Sequence, residues 1–248
     1  MNLVNALQCA APRVFDLSPG EIHFLWWFIQ GSIMNPSTRQ RMRKAWGFCE
    51  RHAWGWMVVE AAFRSGYMHG PAVLYEDLMW LAMAAFEMHG PIQYGRLRRR
   101  LRPKGPCLMC QEEYGPESEG FVREEIVEQG RDLIELQRLA RRTEQYWRKA
   151  VCGRCAGTDS TQRCRRHLVE DYLPDSSNGI AVHRSFVSYI SLHLVRYARS
   201  FQFEFKRSQT DEDTAALISA VGWCSGWSTF LSIMGDRNTD GHDRASTA

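Results

Sequence analysis

The feature that most constrains how this chain folds is a set of four short Cys/His pairs, each with two residues between its members. The pairs are Cys49 with His52, Cys107 with Cys110, Cys152 with Cys155, and Cys164 with His167. Two intervening residues let both side chains reach one ion across a tight turn, so this spacing recurs in zinc sites. Six thiolates and two imidazoles are the ligands of two closed tetrahedral sites. The sequence therefore predicts two zinc ions in a structural role.

The simplest grouping of these pairs closes one site locally. Residues 152–167 carry two pairs in the pattern Cys-x2-Cys-x8-Cys-x2-His, which supplies four ligands from one short segment. This segment is polar and contains glycine, and such a segment is ordered mainly when a structural metal holds it. The pair at Cys107 would then join the pair at Cys49, tying the N-terminal half of the chain to its centre.

A second grouping follows from a weak internal repeat. Residues 47–53 and 150–156 share the pattern Cys-x-Arg-ligand-Ala, and Cys9 precedes the first of them as a Cys-x2-Cys pair precedes the second. In this arrangement a degenerate duplication leaves an N-terminal site with three ligands, namely Cys9, Cys49 and His52. A three-ligand site has an open coordination position, which is the usual arrangement for catalytic zinc.

An iron–sulfur cluster is the alternative to zinc. Four thiolates would come from the two Cys-x2-Cys pairs, Cys107 with Cys110 and Cys152 with Cys155. The histidine positions favour zinc over this alternative. Thiol–disulfide chemistry by Cys-x-x-Cys usually accompanies a βαβ pattern, and the sequence has no such pattern.

Helical periodicity dominates the rest of the chain. A capping box at Ser18 and Glu21, with Pro19 between them, predicts the start of a first helix. Apolar residues at helical spacing predict helices over 18–35, 37–46, 49–65, 72–88 and 119–150. Two more are predicted, one from Val182 to Phe205 and one that starts at Thr210 and continues to Met234. Because no stretch alternates as a β-strand does, the predicted fold is all-α, an irregular helical assembly braced by Cys/His zinc sites.

Changes of composition divide the chain into four predicted segments. Gly90-Pro91 and the turn-rich stretch 173–179 mark the main boundaries. The segments are an N-terminal helical half with the Cys49/His52 pair (1–95), a metal-binding half with a long helix (96–175), a C-terminal helical hairpin (176–234) and a flexible tail (235–248).

A basic run extends from Arg96 to Lys104 and holds six basic residues in nine. The run predicts a turn-rich connector, since Pro103 lies within it and Gly105 and Pro106 follow it. We expect a solvated connector that neutralises the acidic stretch from Glu112 onward. Nucleic-acid binding through this run is the weaker alternative, because the net charge of +3 does not by itself imply such a partner.

The sequence predicts a soluble cytoplasmic protein without a membrane span. Its longest apolar run, Phe24 to Ile29, is far shorter than the roughly 20 residues that cross a bilayer. The N-terminus has no basic region of the kind that opens a secretory signal. In a reducing compartment the cysteines are metal ligands or free thiols, and Cys224, on an apolar helical face, is expected to be a core thiol.

Several short elements resemble an uncharacterised prokaryotic family of helical proteins with Cys-Pro-x-Cys and Gly-Phe-Cys-x-x-His elements. The matching elements are Asn35-Pro36, residues 39–43, 47–53 and 72–78, and the Cys107–Cys110 pair. The resemblance spans roughly residues 20 to 170 and departs from the family at Pro12, where a second cysteine is expected. The family has no assigned activity, so the resemblance implies metal binding only.

Common enzyme signatures are missing from the sequence. It has no Walker-type loop, dinucleotide fingerprint, nucleophile elbow or His-Glu-x-x-His motif. Nine Trp and twelve Phe are a heavy aromatic load, and aromatic side chains dominate interfaces as well as cores. We therefore expect a zinc-stabilised binding or accessory protein that acts through protein–protein interaction. The alternative is an enzyme or redox component with an open metal site at Cys49 and His52, or with an iron–sulfur cluster.

Overall fold

The computed structural model describes residues 15–87, 93–171 and 177–235, and every regular element in these ranges is helical. The predicted all-α fold is confirmed. The α-helices are α1 (Pro19–Phe28), α2 (Pro36–Ala45), α3 (Glu50–Phe63), α4 (His69–Phe86), α5 (Gln93–Leu101), α6 (Leu108–Gln111), α7 (Glu124–Gly130), α8 (Ile134–Arg142), α9 (Glu144–Trp147), α10 (Gly153–Ala156), α11 (Arg165–Asp171), α12 (Ser177–Arg199), α13 (Asp211–Ser225) and α14 (Ser228–Ile233). Short 3-10 turns cover Ser32–Met34, Arg148–Ala150 and Phe203–Phe205.

Helix α3 lies at the centre of the fold. Its side chains from Arg51 to Ala61 are all buried, which explains why it lacks a polar face. It contacts α1, α4, α7, α8, α13 and α14. Trp54 shows how this packing spans the sequence, because its ring stacks on Phe230 at 4.4 Å between centroids and its Nε1 donates to the Gly226 carbonyl at 2.8 Å. Buried apolar residues from all three predicted helical segments join one core.

The first two helices begin where the sequence predicts. The Ser18 hydroxyl accepts from the Glu21 amide at 3.1 Å, and the Glu21 carboxylate accepts from the Ser18 amide at 2.8 Å, so the capping box is formed. Helix α1 ends at Phe28, earlier than predicted, because Gly31 adopts a φ of 132° that no helix continues through. Asn35 then caps α2, accepting from the Ser37 amide at 2.9 Å.

The prediction of one long helix over 119–150 is wrong. A straight helix of that length would be about 48 Å long and could not follow the curved surface of the core. Helix α7 ends at Gly130, where a Cβ atom would lie 2.7 Å from a methyl carbon of Ile22. Asp132 starts α8 by accepting from the Ile134 amide at 2.8 Å. At the other end, Thr143 leaves the helical conformation with φ −104° and ψ 9°, its buried hydroxyl donates to the Leu139 carbonyl at 2.9 Å, and α9 follows.

The basic run 96–104 is only partly a connector, which corrects the sequence prediction. Helix α5 continues to Leu101, because Leu97 and Leu101 lie one turn apart and are both buried against the core. The turn begins only at Arg102. Beyond it, the Lys104 amide donates to the Lys44 carbonyl at 2.7 Å, which attaches the connector to the end of α2.

Both predicted C-terminal helices are present, but the second is interrupted. Helix α13 ends at Ser225 and α14 begins at Ser228, because Gly226 between them adopts a φ of 120°. Helix α12 stops at Arg199, before the predicted Phe205, and packs on α4 and α13. Thr210 caps α13 as predicted, and Cys224 in α13 is a core thiol with 1% of its surface exposed. Residues 173–176 of the predicted linker and 236–248 of the predicted tail lie outside the described residues, whereas residues 177–179 of that linker belong to α12. Across the described ranges, no helix combines the length and apolar character needed to cross a bilayer.

Candidate metal centres

The structure brings the eight predicted ligands together in two groups of three cysteines and one histidine. The first group is Cys49, His52, Cys107 and Cys110, and the second group is Cys152, Cys155, Cys164 and His167. Within each group the ligand atoms all lie within 4.8 Å of one another. This is the simplest grouping read from the sequence. Cys9, the extra ligand of the alternative grouping, lies outside the described residues, and the four cysteines considered for an iron–sulfur cluster are divided between the groups.

Every pair sits at the start of a helix in the same way. The first cysteine of each pair directly precedes a helix, and its partner is the third residue of that helix; the helices are α3, α6, α10 and α11. The carbonyl of the first cysteine accepts the first helical hydrogen bond, as Cys49 does from the Ala53 amide at 2.8 Å. A helix N-terminus carries positive partial charge, which favours the thiolate form of cysteine. Local folding therefore presents both ligands of a pair on one side of a turn.

Distances in the first group match a tetrahedral ion. With Zn–S near 2.3 Å and Zn–N near 2.0–2.1 Å, tetrahedral ligands lie about 3.8 Å apart for two sulfurs and about 3.5 Å apart for sulfur and nitrogen. The Sγ atoms of Cys49 and Cys110 are 3.8 Å apart. His52 Nδ1 lies 3.3 Å from Cys49 Sγ, 3.4 Å from Cys107 Sγ and 3.5 Å from Cys110 Sγ. A disulfide would need about 2.05 Å, so these cysteines form no disulfide with one another.

The second group has the same dimensions. Cys155 Sγ and Cys164 Sγ are 3.9 Å apart. His167 Nδ1 lies 3.2 Å from Cys152 Sγ and 3.4 Å from each of the other two sulfurs. Three thiols and one imidazole nitrogen at these distances fit one tetrahedral ion, so each group could hold a metal.

The thiols of both groups are perturbed by their neighbours. Burial raises the pKa of Cys107, but hydrogen bonds from the other three ligands outweigh it and hold that pKa well below its usual range. Hydrogen bonds from Cys155 and Cys164 likewise hold the pKa of Cys152 far below normal. A lowered pKa favours the thiolate, and the thiolate is the form of cysteine that binds a metal ion.

Behind the first group lies a buried carboxylate that sequence reasoning missed. Glu21 Oε1 is 3.1 Å from His52 Nε2, on the opposite side of the ring from the sulfurs. This contact fixes the tautomer with the proton on Nε2 and turns the Nδ1 lone pair toward the cysteines, as outer carboxylates do in metal sites. Arg51 also binds Glu21, with Nε at 2.6 Å and Nη2 at 2.7 Å from its oxygens. All three side chains are buried.

The electrostatics keep Glu21 ionised. Burial raises its pKa, but hydrogen bonds from Arg51, from His52 and from the Ser18 amide outweigh that effect and lower the pKa to about 2. The only sequence signal for this residue is the capping box, which explains its helix-starting role but gives no hint of the contact with His52. That contact joins residues 31 positions apart and appears only once α1 packs on α3.

The surroundings of the second group are more exposed. Arg154 pairs with Glu170 at 3.2 Å and also with Asp171, and Arg163 Nε lies 2.8 Å from Asp171. These ion pairs hold α10 and α11 together at the surface. His167 Nε2 makes no hydrogen bond within the described part of the chain, unlike its counterpart in the first group.

One buried arginine ties the second group to the core. Arg165 follows Cys164 directly, and its guanidinium donates to the Cys224 carbonyl at 3.0 Å and to the Leu101 carbonyl at 2.5 Å. It also lies over the ring of Trp46, 5.2 Å from the centroid. The second group is therefore linked to α13 and α5 through this side chain.

The repeat read from residues 47–53 and 150–156 does not match the structural roles. Arg51 in the first stretch is buried, whereas Arg154 in the second is exposed at the surface. By position and ligand type, the Cys-x2-His pair before α3 corresponds to the one before α11. The order of the two kinds of pair along the chain is also reversed between the groups, which a simple tandem duplication does not produce.

A pocket of about 320 Å³ opens beside the first group. Its walls come from α1, α2 and the segment that begins at Cys107; the lining residues are His23, Phe24, Trp27, Phe28, Ser32, Thr38, Arg41, Leu108, Glu112 and Tyr114. Leu108 is the residue next to Cys107, so the first group positions one wall directly. Tyr114 packs against Phe24 at 5.0 Å between ring centroids.

Fold and site together define a class: an all-helical protein with two Cys3His groups, each able to hold one metal ion. No family model, curated protein or solved structure matches the chain. The resemblance to the helical family with the Gly-Phe-Cys-x-x-His element therefore stays a hypothesis.

Proposed function

We propose that the protein is a zinc-stabilised helical binding protein that acts in the cytoplasm by holding another protein. The observation that carries this proposal is the aromatic pocket beside the first group. Trp27 lines the pocket and is 57% exposed, and Phe121, which is 93% exposed, lies edge-on to the lining residue His23 at 6.2 Å between ring centroids. A cluster of exposed aromatic side chains around a concave pocket is typical of a protein-binding surface.

The ligand chemistry supports zinc in both groups. Three cysteines and one histidine are a common structural zinc set, whereas iron–sulfur clusters usually take four cysteines. Cys107 and Cys110 lie at ligand distance from His52, which favours a closed site over the open one that an enzyme would need. When bound, zinc would supply a cross-link between segments rather than a reaction centre.

Metal and pocket are coupled through the segment that follows Cys107. Apart from the single turn of α6, residues 107–123 have no helix of their own. The first group holds the segment at its start. Further along, the Ser18 hydroxyl donates to the Gly115 carbonyl at 2.7 Å and the Gly20 amide donates to the Ser118 carbonyl at 3.0 Å. Zinc binding would therefore order this wall of the pocket and with it the partner site.

Photo-crosslinking tests the proposal. A photoreactive residue at position 27 should capture one dominant partner from the native cell, and the same residue at Trp80, which is 65% exposed on α4, should not. Trp27→Ser should abolish co-purification of that partner without changing the zinc content or the helical circular dichroism. A protein that elutes as a free monomer from every native fraction and crosslinks to nothing at position 27 would contradict it.

A further inference from the structure

A second exposed surface carries a concentration of positive charge on α5 and the adjoining end of α2. We call it the basic surface, and its members are Lys44, Arg96, Arg98, Arg99, Arg100, Arg102 and Lys104. All seven side chains are exposed. The surface lies apart from the aromatic pocket, which uses none of these residues.

The basic surface is not neutralised by acidic neighbours. Among the described residues, none of its seven members forms an ion pair. Asp77 of α4 pairs with α2 instead, because it binds Arg39 and Arg43. Glu112, where the acidic stretch begins, binds Arg41 at 2.6 Å. The expectation that the run 96–104 neutralises that stretch is therefore wrong.

Helix α5, which carries most of these cations, is fixed to the core. Leu97 and Leu101 fix one side of α5 in the core. The Leu101 carbonyl accepts from the buried Arg165, and the Arg100 carbonyl accepts from Trp46 Nε1 at 3.2 Å. A groove of about 430 Å³ lies between α2, α4 and α5, and Lys44, Arg100 and Lys104 are among the residues that line it. A preorganised array of this kind loses little conformational entropy when it binds.

We propose that the basic surface binds the phosphodiester backbone of a nucleic acid. Like charges one helical turn apart, such as Arg96 with Arg100 and Arg98 with Arg102, repel each other in the free protein. A single small anion would leave most of these charges unpaired, whereas a regularly spaced polyphosphate pairs many of them and releases its counterions. Five of the seven cations are arginines, whose planar fork matches phosphate oxygens.

Two other polyanions fit the surface less well. An anionic membrane is normally held by apolar side chains inserted beside the charges, but Leu97 and Leu101 of α5 point into the core. An acidic peptide would need carboxylates at a density that matches six cations in nine residues. Trp46, the aromatic residue among those that line the groove, is only 5% exposed, so its ring is not available for base stacking and we expect binding mainly through the backbone.

Salt-dependent binding to short oligonucleotides tests the inference. Labelled single-stranded RNA, single-stranded DNA and duplex DNA form three arms, which distinguish the source of the phosphates. About six phosphate contacts should weaken affinity about a thousandfold between about 50 and 200 mM salt. The triple variant Arg98→Gln, Arg99→Gln, Arg102→Gln should reduce the slope of log affinity against log salt by about 2.7.

A matched triple variant removes the same charge elsewhere. Arg138, Arg142 and Arg148 are exposed and paired with Glu135, Asp211 and Glu144, so their change to Gln should leave the slope unchanged. Zinc content and circular dichroism confirm that both variants are folded. The inference is overturned if no nucleic acid binds at low salt, or if both triple variants lose affinity equally. Displacement of the nucleic acid by polyglutamate or by phosphatidylserine vesicles at equal charge would also overturn it.

Discussion

The two Cys3His groups share their ligands, their helix-start geometry and their dimensions, yet they join different parts of the molecule. The first group connects residues up to 61 positions apart, whereas the second closes a loop in which Cys152 and His167 are 15 positions apart. Closing the longer loop restricts the unfolded chain more, by about 1 kcal/mol on a loop-entropy scale. The first group thus ties the central helix α3 to a distant segment, and the second stabilises mainly itself.

The residues around the two groups differ as well, because those around the first are buried and those around the second lie at the surface. The first histidine rests on a buried carboxylate–arginine pair, whereas ion pairs at the surface brace the second group. The thiols show the opposite pattern, since Cys110 is exposed while Cys152 and Cys164 are buried. The same set of three cysteines and one histidine can therefore have different consequences, because the elements that carry these residues determine what the loss of a bound metal would release.

Ligand removal should give the largest contrast between the groups. Cys110→Ser should lower the free energy of unfolding by at least about 5 kcal/mol, because it releases both the metal and the pocket wall from α3. Cys155→Ser should cost at least about 1 kcal/mol less and open residues 152–171 locally. Chemical denaturation and hydrogen exchange measure both. Equal loss of exchange protection in α3 for the two variants would remove the distinction.

Substitutions of the residues that surround the ligands should give a smaller contrast between the two groups. Glu21→Gln leaves Arg51 buried without a counter-charge, so we expect a cost of about 3 kcal/mol and a 10–100-fold weaker metal affinity in the first group. Asp171→Asn breaks exposed ion pairs near the second group and should cost under about 1 kcal/mol. Competition with a chromophoric chelator gives the affinities. If Asp171→Asn weakens its group as much as Glu21→Gln weakens the first, the buried network has no special role.

A pH experiment separates the metal from the helix that carries it. Glu60 on α3 is buried, and desolvation raises its pKa to about 7 against hydrogen bonds from Gly70 and Trp56. Its folded pKa exceeds its unfolded one, so the folded state binds more protons between about pH 4.5 and 7 and loses stability as the pH rises. Zinc ligation has the opposite trend, because its ligands must lose protons.

Glu60→Gln should therefore stabilise the protein more at high pH. The gain in unfolding free energy should increase by on the order of 2 kcal/mol between about pH 5.5 and pH 8. Thermal and denaturant unfolding at both pH values measure it, with zinc content as the control. A gain of the same size at both pH values would show that Glu60 does not titrate in this range.

Thiol reactivity should show the smallest contrast. In the native protein, Cys110 is exposed while Cys152 is buried, so alkylation of Cys110 should be roughly tenfold faster. Mass spectrometry of digests reports each site, and the core thiol Cys224 should stay unlabelled. Labelling of Cys152 at the rate of Cys110 would mean that the second group has opened completely.

Local signals in the sequence predicted local structure well. The two-residue spacing identified all eight Cys and His residues that the fold brings together. The capping box at Ser18 and the polar stretch that starts at Thr210 located two helix starts. These features depend on residues within one helical turn of each other. The all-α class followed from the same short-range periodicity.

Features that depend on long-range packing were not predictable in this way. Helix α7 ends at Gly130, where the missing Cβ lets Ile22 of α1 pack closely, although the sequence near 130 keeps its helical periodicity. Glu21 meets His52 only after α1 docks on α3, so its second role has no local signal. The helical part of the basic run was hidden because prolines beyond Leu101 made the whole stretch resemble a turn.

Elemental analysis of the purified protein tests the central claim most directly. We predict two equivalents of zinc in the native chain, and one equivalent in each of the variants Cys110→Ser and Cys155→Ser, since each change removes a ligand from a different group. The retained ion in each variant should be zinc, without visible absorption. A native protein that carries no metal, or that carries iron with a visible chromophore, would contradict the account of two closed zinc sites.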